Sequence, residues 1–239
     1  RPRTEGGRPN TLKAQAKEKI AIVVYSYYPH DLRIRRAAEA ALKSSYDVDV
    51  YCLLQRGQSK RETHAGLTIY RHHVLRTRSR RINYIIEYLS FLTIVLIKLS
   101  ARHLSRRYSL IHVNNMPDVL VLTGFLAKLT GAKIVLDLHD PMPEVFMTKY
   151  ATDEKNTAVK LLRFLERASI RFSDKVITTN IAFRDLFVGR GCPHDKIAIV
   201  MNAPDEAVFS EGGSTPPVAV EPGGPFRVVF NGTIVGRHG

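Results

Sequence analysis

Short runs of apolar, β-branched residues recur along this chain, separated by stretches with helix-forming chemistry, and that alternation limits the folds open to it. "KIAIVVYS" (19–26), "DVDVYCLL", "GLTIYRHHV", "LIHV", "AKIVLDL", "DKVITT" and "DKIAIVMN" read as strands. Most are apolar along much of their length instead of alternating, the pattern of a strand buried on both faces. Between them, "LRIRRAAEAALK" (32–43), "NTAVKLLRFLERASIRFS" and the glycine-closed "IAFRDLFVGRG" read as helices. "PDVLVLTGFLAKLTG" is expected to be one helix, with Asp118 in its first turn and Gly131 as its stop. Strands buried on both faces and linked by helices make a parallel, doubly wound α/β sheet.

The boundaries follow from changes in composition. Residues 1–18 are basic and polar, without the apolar core of a secretory signal, and are expected to form a disordered arm. Residues 19–209 are expected to form the α/β domain; with 44% of the chain hydrophobic, there is enough apolar material for a large core. "SEGGSTPPVAVEPGGP" (210–225) reads as a linker, and "FRVVFNGTIVGRHG" (226–239) as the first strand and turn of a second domain. One strand and one turn cannot bury a core, so the sequence is expected to be part of a longer protein.

An excess of 36 Lys and Arg over 22 Asp and Glu gives a net charge of +14 and points to an anionic partner. The segment 82–99, "INYIIEYLSFLTIVLIKL", concentrates that question: its eighteen residues carry only two charges, Glu87 and Lys98. Arg76, Arg78, Arg80 and Arg81 precede it, and Arg102, Arg106 and Arg107 follow. Positive charge at both ends does not suit an oriented membrane span. It suits a helix lying in the interface of an anionic membrane, each basic contact contributing about 1 kcal/mol; an ordinary buried helix with solvated ends is the other reading. Nucleic acid is not the expected partner, because aliphatic side chains and not base-stacking aromatics interleave the basic cluster. Cys52 and Cys192 have neither metal-ligand nor redox spacing, and a reducing cytoplasmic setting on the inner face of the membrane is expected.

Ligands of an open parallel sheet bind beyond the carboxyl ends of its strands. Those positions are polar here: "YSYYPHDLRIRR", "VNNMPD", "DLHDPMPE" and "TTN". The proline-rich run after "KIVLDL" leaves no comfortable place for a strand or helix to continue, so it reads as a site loop. Asp31, Arg33, Asn115, Asp137, His139, Asp140 and Glu144 are expected to meet in one cleft. Each also has a structural reading: Asp31 as a helix cap, Arg33 as a helix-surface charge, Asp140 as a turn residue and Glu144 as a cap. His139, between two aspartates at a strand end, has the strongest claim to chemistry. Neither a glycine-rich dinucleotide loop nor a Walker loop follows the first strand.

Four of these stretches together resemble the N-terminal half of retaining family-four glycosyltransferases of the GT-B fold. They are "YYPHDLRIRRAAEAAL", "LIHVNNMPDVLVLTGFLAKLTGAKIVLDLHDPMPE", "ERASIRFSDKVITTN" and "NGTIVGRHG". The resemblance implies two Rossmann-like domains, an N-terminal one receiving the acceptor and a C-terminal one holding a nucleoside diphosphate sugar. It implies that sugar as co-substrate, with no cofactor and no metal ligand in this chain. It places His139 beneath the transferred sugar, and Asp31, Arg33, Asn115, Asp137, Asp140 and Glu144 on the acceptor side. Gly232, Thr233 and Arg237 match the loop that holds the donor diphosphate.

The sequence departs from the family pattern at two places. His238 stands where many relatives carry Lys in the diphosphate loop, and the first loop offers Asp31 and Arg33 in place of a glycine pair. Loops of that second kind resemble a branch that builds bacterial polysaccharides or glycolipids, whose acceptors can be lipid-linked. The alternative to an enzyme is a non-catalytic, membrane-associated binding module for glycan or nucleotide with the same fold.

Overall fold

The computed structural model describes residues 17–74 and 81–203. Most of the expected arm, the linker 210–225 and the donor-loop residues Gly232, Thr233 and Arg237 lie outside them, as do Arg76, Arg78 and Arg80. Among the described residues, eight strands follow the sheet order β3 (Arg61–His64), β4 (Leu67–His72), β2 (Asp47–Leu53), β1 (Lys19–Val24), β5 (Leu110–Asn114), β6 (Lys133–Leu138), β7 (Lys175–Thr178), β8 (Ile197–Ile199) in a doubly wound α/β fold. The chain divides into two compact units, one running through Val113 and including Leu122–Ile134, the other comprising Asn114–Val121 and the chain from Val135.

The first unit begins with β1 (Lys19–Val24), α1 (Leu32–Lys43) and β2 (Asp47–Leu53), and β2 runs parallel to β1. Ile20, Ile22 and Val24 of β1 share a buried cluster with Val48, Val50 and Cys52 of β2 and Ile34 and Ala38 of α1. Asp31 caps α1, its carboxylate accepting from the Arg33 backbone N–H. β3 (Arg61–His64) and β4 (Leu67–His72) form an antiparallel hairpin that the sequence reading did not separate from its surroundings, and β4 then pairs parallel with β2. The hairpin turn puts Ala65 at φ 45° and Gly66 at φ 87°, a backbone that glycine adopts without steric cost.

The apolar segment is longer than expected: α2 runs Arg81–Arg106, and β5 (Leu110–Asn114) follows it. One row of α2, Glu87, Phe91, Val95, Leu99 and His103, is buried. Polar partners meet the two polar members of that row, Glu87 and His103. Tyr25 donates to Glu87 at 3.1 Å, and His103 lies 2.6 Å from the Thr130 hydroxyl and accepts from the Tyr108 backbone N–H.

The arginines after the apolar segment divide, which corrects the expectation that all three face a membrane. Arg106 donates to the buried Asp49 at 2.9 Å, and Arg102 lies 4.0 Å over the Tyr70 ring, whereas Arg107 is exposed. Asp49 also accepts from the Tyr108 hydroxyl, and the Tyr51 hydroxyl lies 2.9 Å from that of Tyr108. Burial pushes both tyrosines above their ordinary range.

The expected single helix at 117–131 is instead a 3-10 helix over Asp118–Gly124 that continues into the short α3 (Phe125–Leu129). Gly124 sits at the join, where a Cβ would come within 2.7 Å of the Ile134 side chain; the close approach admits only glycine without a shift.

The second unit contains most of β6 (Lys133–Leu138), then α4 (Met142–Tyr150), α5 (Thr157–Phe172), β7 (Lys175–Thr178), α6 (Ile181–Gly189) and the short β8 (Ile197–Ile199). β6, β7 and β8 pair in parallel. Asn156 and Asn180 cap α5 and α6 by accepting backbone N–H bonds.

The expectation that no helix could follow β6 is corrected by α4. Its prolines fall at positions 141 and 143, before the helix and in its first turn, where a helix needs no backbone N–H from them.

Candidate active site

β6 ends at Leu138, and Thr178 at the end of β7 donates to the Leu138 carbonyl at 2.9 Å, holding the strand end in place. The next residue is His139, 8% exposed. Its Nε2 lies 3.2 Å from Asp137 Oδ2, and its backbone N–H donates to Asn115 Oδ1 at 3.0 Å. Nδ1, the other ring nitrogen, is buried without a hydrogen-bond partner. A histidine oriented through one ring nitrogen and one backbone bond, with its other nitrogen unspent, is equipped to act on a ligand.

Asn115 organises the surroundings. Its amide group donates to the Asp140 carbonyl at 2.6 Å and to Asp118 Oδ1 at 3.2 Å, while its Oδ1 accepts from His139. One side chain thus clamps the peptide groups on both sides of the His139 carbonyl. Asp118 beneath it is 2% exposed. Burial, reinforced by the charge of Glu166, pushes the Asp118 carboxyl up to about 7 despite the Asn115 bond.

Glu144 was expected on the acceptor side and sits in the first turn of α4, where Arg190 forms an ion pair with it. The same guanidinium reaches Glu166 Oε2 at 3.1 Å, on a side chain with no solvent exposure. Burial raises the Glu166 carboxyl, and Arg190 opposes the rise. Burial also acts to lower the Arg190 pKa, but its hydrogen bonds and charge contacts with the two glutamates outweigh that and hold it above the ordinary value. Arg190, which caps α6, therefore ties α4 and α5 together.

Neither Glu166 nor Arg190 was identified from sequence. The available signal was an acid at position 166 on the helix face that also buries Val159 and Ile170, since an acid there requires a buried partner.

Among the expected site residues, Asn115, Asp137, His139 and Asp140 are brought together, with Asp140 exposed at the edge of the loop. Glu144 follows on α4, occupied by Arg190. Asp31 and Arg33 belong to the first unit and pair with each other at 2.9 Å. Burial pushes the Asp31 carboxyl up, but the hydrogen bonds and charge of Arg33 more than offset this and hold it below its usual range. Among the described residues, no group of three or more His, Cys, Asp or Glu side chains is arranged to hold a metal ion.

Solved structures share this fold at low sequence identity. A sucrose-phosphate synthase from Thermosynechococcus elongatus aligns with a TM-score of 0.56 and 16% identity over 80% of this chain and 93% of that one. HepE of Anabaena, in complex with UDP-glucose, aligns with a TM-score of 0.50 and 17% identity over 80% of this chain and 45% of that one. LpCGTa in complex with UDP gives 0.53 and 10%, over 81% and 56%. The chain thus spans about half the length of the last two proteins. The fold is the Rossmann-like α/β fold of GT-B glycosyltransferases. No curated protein matches in sequence. The family model described as "Glycosyl transferase 4-like domain" matches residues 31–203, which run from the cap of α1 through the whole His139 loop and past β8, and the chain belongs to that family.

Proposed function

We propose that this chain is the acceptor-side part of a glycosyltransferase that moves a sugar from a nucleoside diphosphate sugar to a polysaccharide, glycolipid or lipid-linked acceptor. The observation that carries the reading is the His139 loop: a buried imidazole held by Asp137, its flanking peptides clamped by Asn115, and Nδ1 left without a partner. Family membership supports the transfer chemistry, and the UDP-glucose and UDP bound to HepE and LpCGTa support a nucleotide sugar as donor.

In the proposed reaction, the bond from the anomeric carbon to the diphosphate breaks as an acceptor hydroxyl attacks the same face, so configuration is retained. The acceptor proton passes to the departing diphosphate oxygen. Positive charge develops on the sugar as that bond lengthens, and the His139 carbonyl and its Asp137-supported ring stabilise it. Asn115 keeps that carbonyl fixed, so the stabilisation requires little reorganisation in the transition state. Gly232, Thr233 and Arg237 would bind the diphosphate, and Asp31, Arg33 and Asp140 the acceptor.

The test is made in the whole protein with a nucleotide-sugar substrate. His139→Ala is expected to lower kcat by about 100-fold, about 2.7 kcal/mol, while changing donor affinity little. Turnover within about threefold of wild type at saturating substrate, with the fold intact by circular dichroism, would return His139 to a structural role. Inversion at the anomeric carbon of the product would refute the same-face mechanism while leaving transfer itself standing.

A further inference from the structure

The outer face of α2 is apolar where a helix of an α/β fold is normally polar. Ile85, Ile86, Leu89, Ile97 and Leu104 are each more than half exposed, between 54% and 67%. α3 adds Phe125 and Leu129, at 51% and 70%. Single exposed apolar residues are ordinary, whereas seven on two helices of one unit mark an interaction surface.

The charges identify its partner. From Asn83 to Lys133 the sequence has only two acidic residues, Glu87 and Asp118, and each is 2% exposed. The exposed charged side chains of that stretch, Lys98, Arg107 and Lys133, are all basic. A protein partner would not require this exclusion of acids, and a nucleic acid would gain nothing from exposed aliphatic side chains. An apolar face set among cations and cleared of anions is complementary to the headgroup and acyl boundary of an anionic bilayer.

We infer that α2 and α3 dock this chain on an anionic membrane surface, with the α2 axis lying in the interface. α2 is also long and apolar enough to cross a membrane: within Asn83–Arg106 an 18-residue stretch has a mean hydropathy of 1.6. Its fixed points favour lying flat. The buried row of α2 packs in the first unit, with Glu87 held by Tyr25, His103 beside Thr130, and Arg106 paired with Asp49. Spanning would pull all three side chains from their partners into hydrocarbon.

The inference does not rest on sugar transfer, and its test measures none. The 239-residue chain is cosedimented with phosphatidylcholine vesicles with and without about one third phosphatidylglycerol, at low and high salt. Binding is expected to the anionic vesicles, to weaken at least about tenfold in high salt, and to fall similarly in a variant combining Ile85→Ser, Leu89→Ser, Ile97→Ser and Leu104→Ser. A variant combining Lys98→Gln, Arg107→Gln and Lys133→Gln is expected to lose the preference for anionic vesicles. All these positions are exposed, so circular dichroism and thermal unfolding should match wild type.

Equal binding to both vesicle types, or binding indifferent to the serine variant, overturns the proposal. So does resistance of bound protein to alkaline carbonate extraction, which would indicate a span. An oligomer in lipid-free buffer that the serine variant dissociates would assign the face to a second copy of this chain instead.

Discussion

Arg190 offers the sharpest test of how the second unit is held together, because it bridges two carboxylates and one of them, Glu166, has no solvent exposure. Arg190→Leu keeps much of the apolar stem but leaves Glu166 with no counter-charge from position 190. Removing one partner of a buried ion pair typically costs about 3–5 kcal/mol, a large part of the 5–15 kcal/mol that stabilises a domain. The deficit should also depend on pH. Burial already raises the folded Glu166 pKa above its ordinary value, and loss of Arg190 would raise it further. A group of that kind contributes stability that is fully present below its unfolded pKa and lost as pH rises through its folded one. The variant should therefore approach wild type near pH 5 and show its full deficit near pH 8. Urea unfolding followed by far-ultraviolet circular dichroism is the suitable assay, since the chain has no tryptophan. Adding Glu166→Gln removes the stranded charge and should recover about 2 kcal/mol or more at pH 8. A deficit below about 1 kcal/mol, a deficit equal at pH 5 and pH 8, or no recovery in the double variant would refute the argument that a buried, Arg-paired carboxylate holds α4, α5 and α6 together.

Two further outcomes follow from the same physics. Asp118, with its carboxyl raised to about 7 by burial, should make the wild-type chain lose about 2.5 kcal/mol of stability between pH 5 and pH 8, and Asp118→Asn should flatten that slope; an unchanged slope in the variant would show that Asp118 does not titrate in this range. Arg106→Gln should cost about 2 kcal/mol by thermal unfolding, because Asp49 is buried beside it, and should leave vesicle affinity within about threefold of wild type; a stable variant with lost vesicle binding would mean that the arginine serves the lipid and not the carboxylate.

Local patterns in the sequence were enough to identify the α/β class, because strand and helix periodicities and caps act over a few residues. The apolar runs became β1, β2, β4, β5, β6, β7 and β8, Asp31 became the cap of α1, and the "DLHD" stretch marked a strand end carrying a buried histidine. The same reading failed where a local signal was ambiguous. Two prolines looked like a barrier and instead began α4, and the single helix expected after Asp118 divided at Gly124 because Ile134, ten residues further on and in the next strand, leaves no room for a side chain there.

What only the tertiary structure decided is which polar groups spend their bonds on one another. Asn115 reaches the Asp140 carbonyl across 25 residues, Arg190 reaches Glu144 across 46, and Arg106 reaches Asp49 across 57. A buried charge has to find a partner, but periodicity specifies only that its face is buried, not what lies opposite. Strand order supplies the opposite side. It turned Arg106 inward toward the sheet, set Glu144 against Arg190, and left His139 Nδ1 buried without a hydrogen-bond partner.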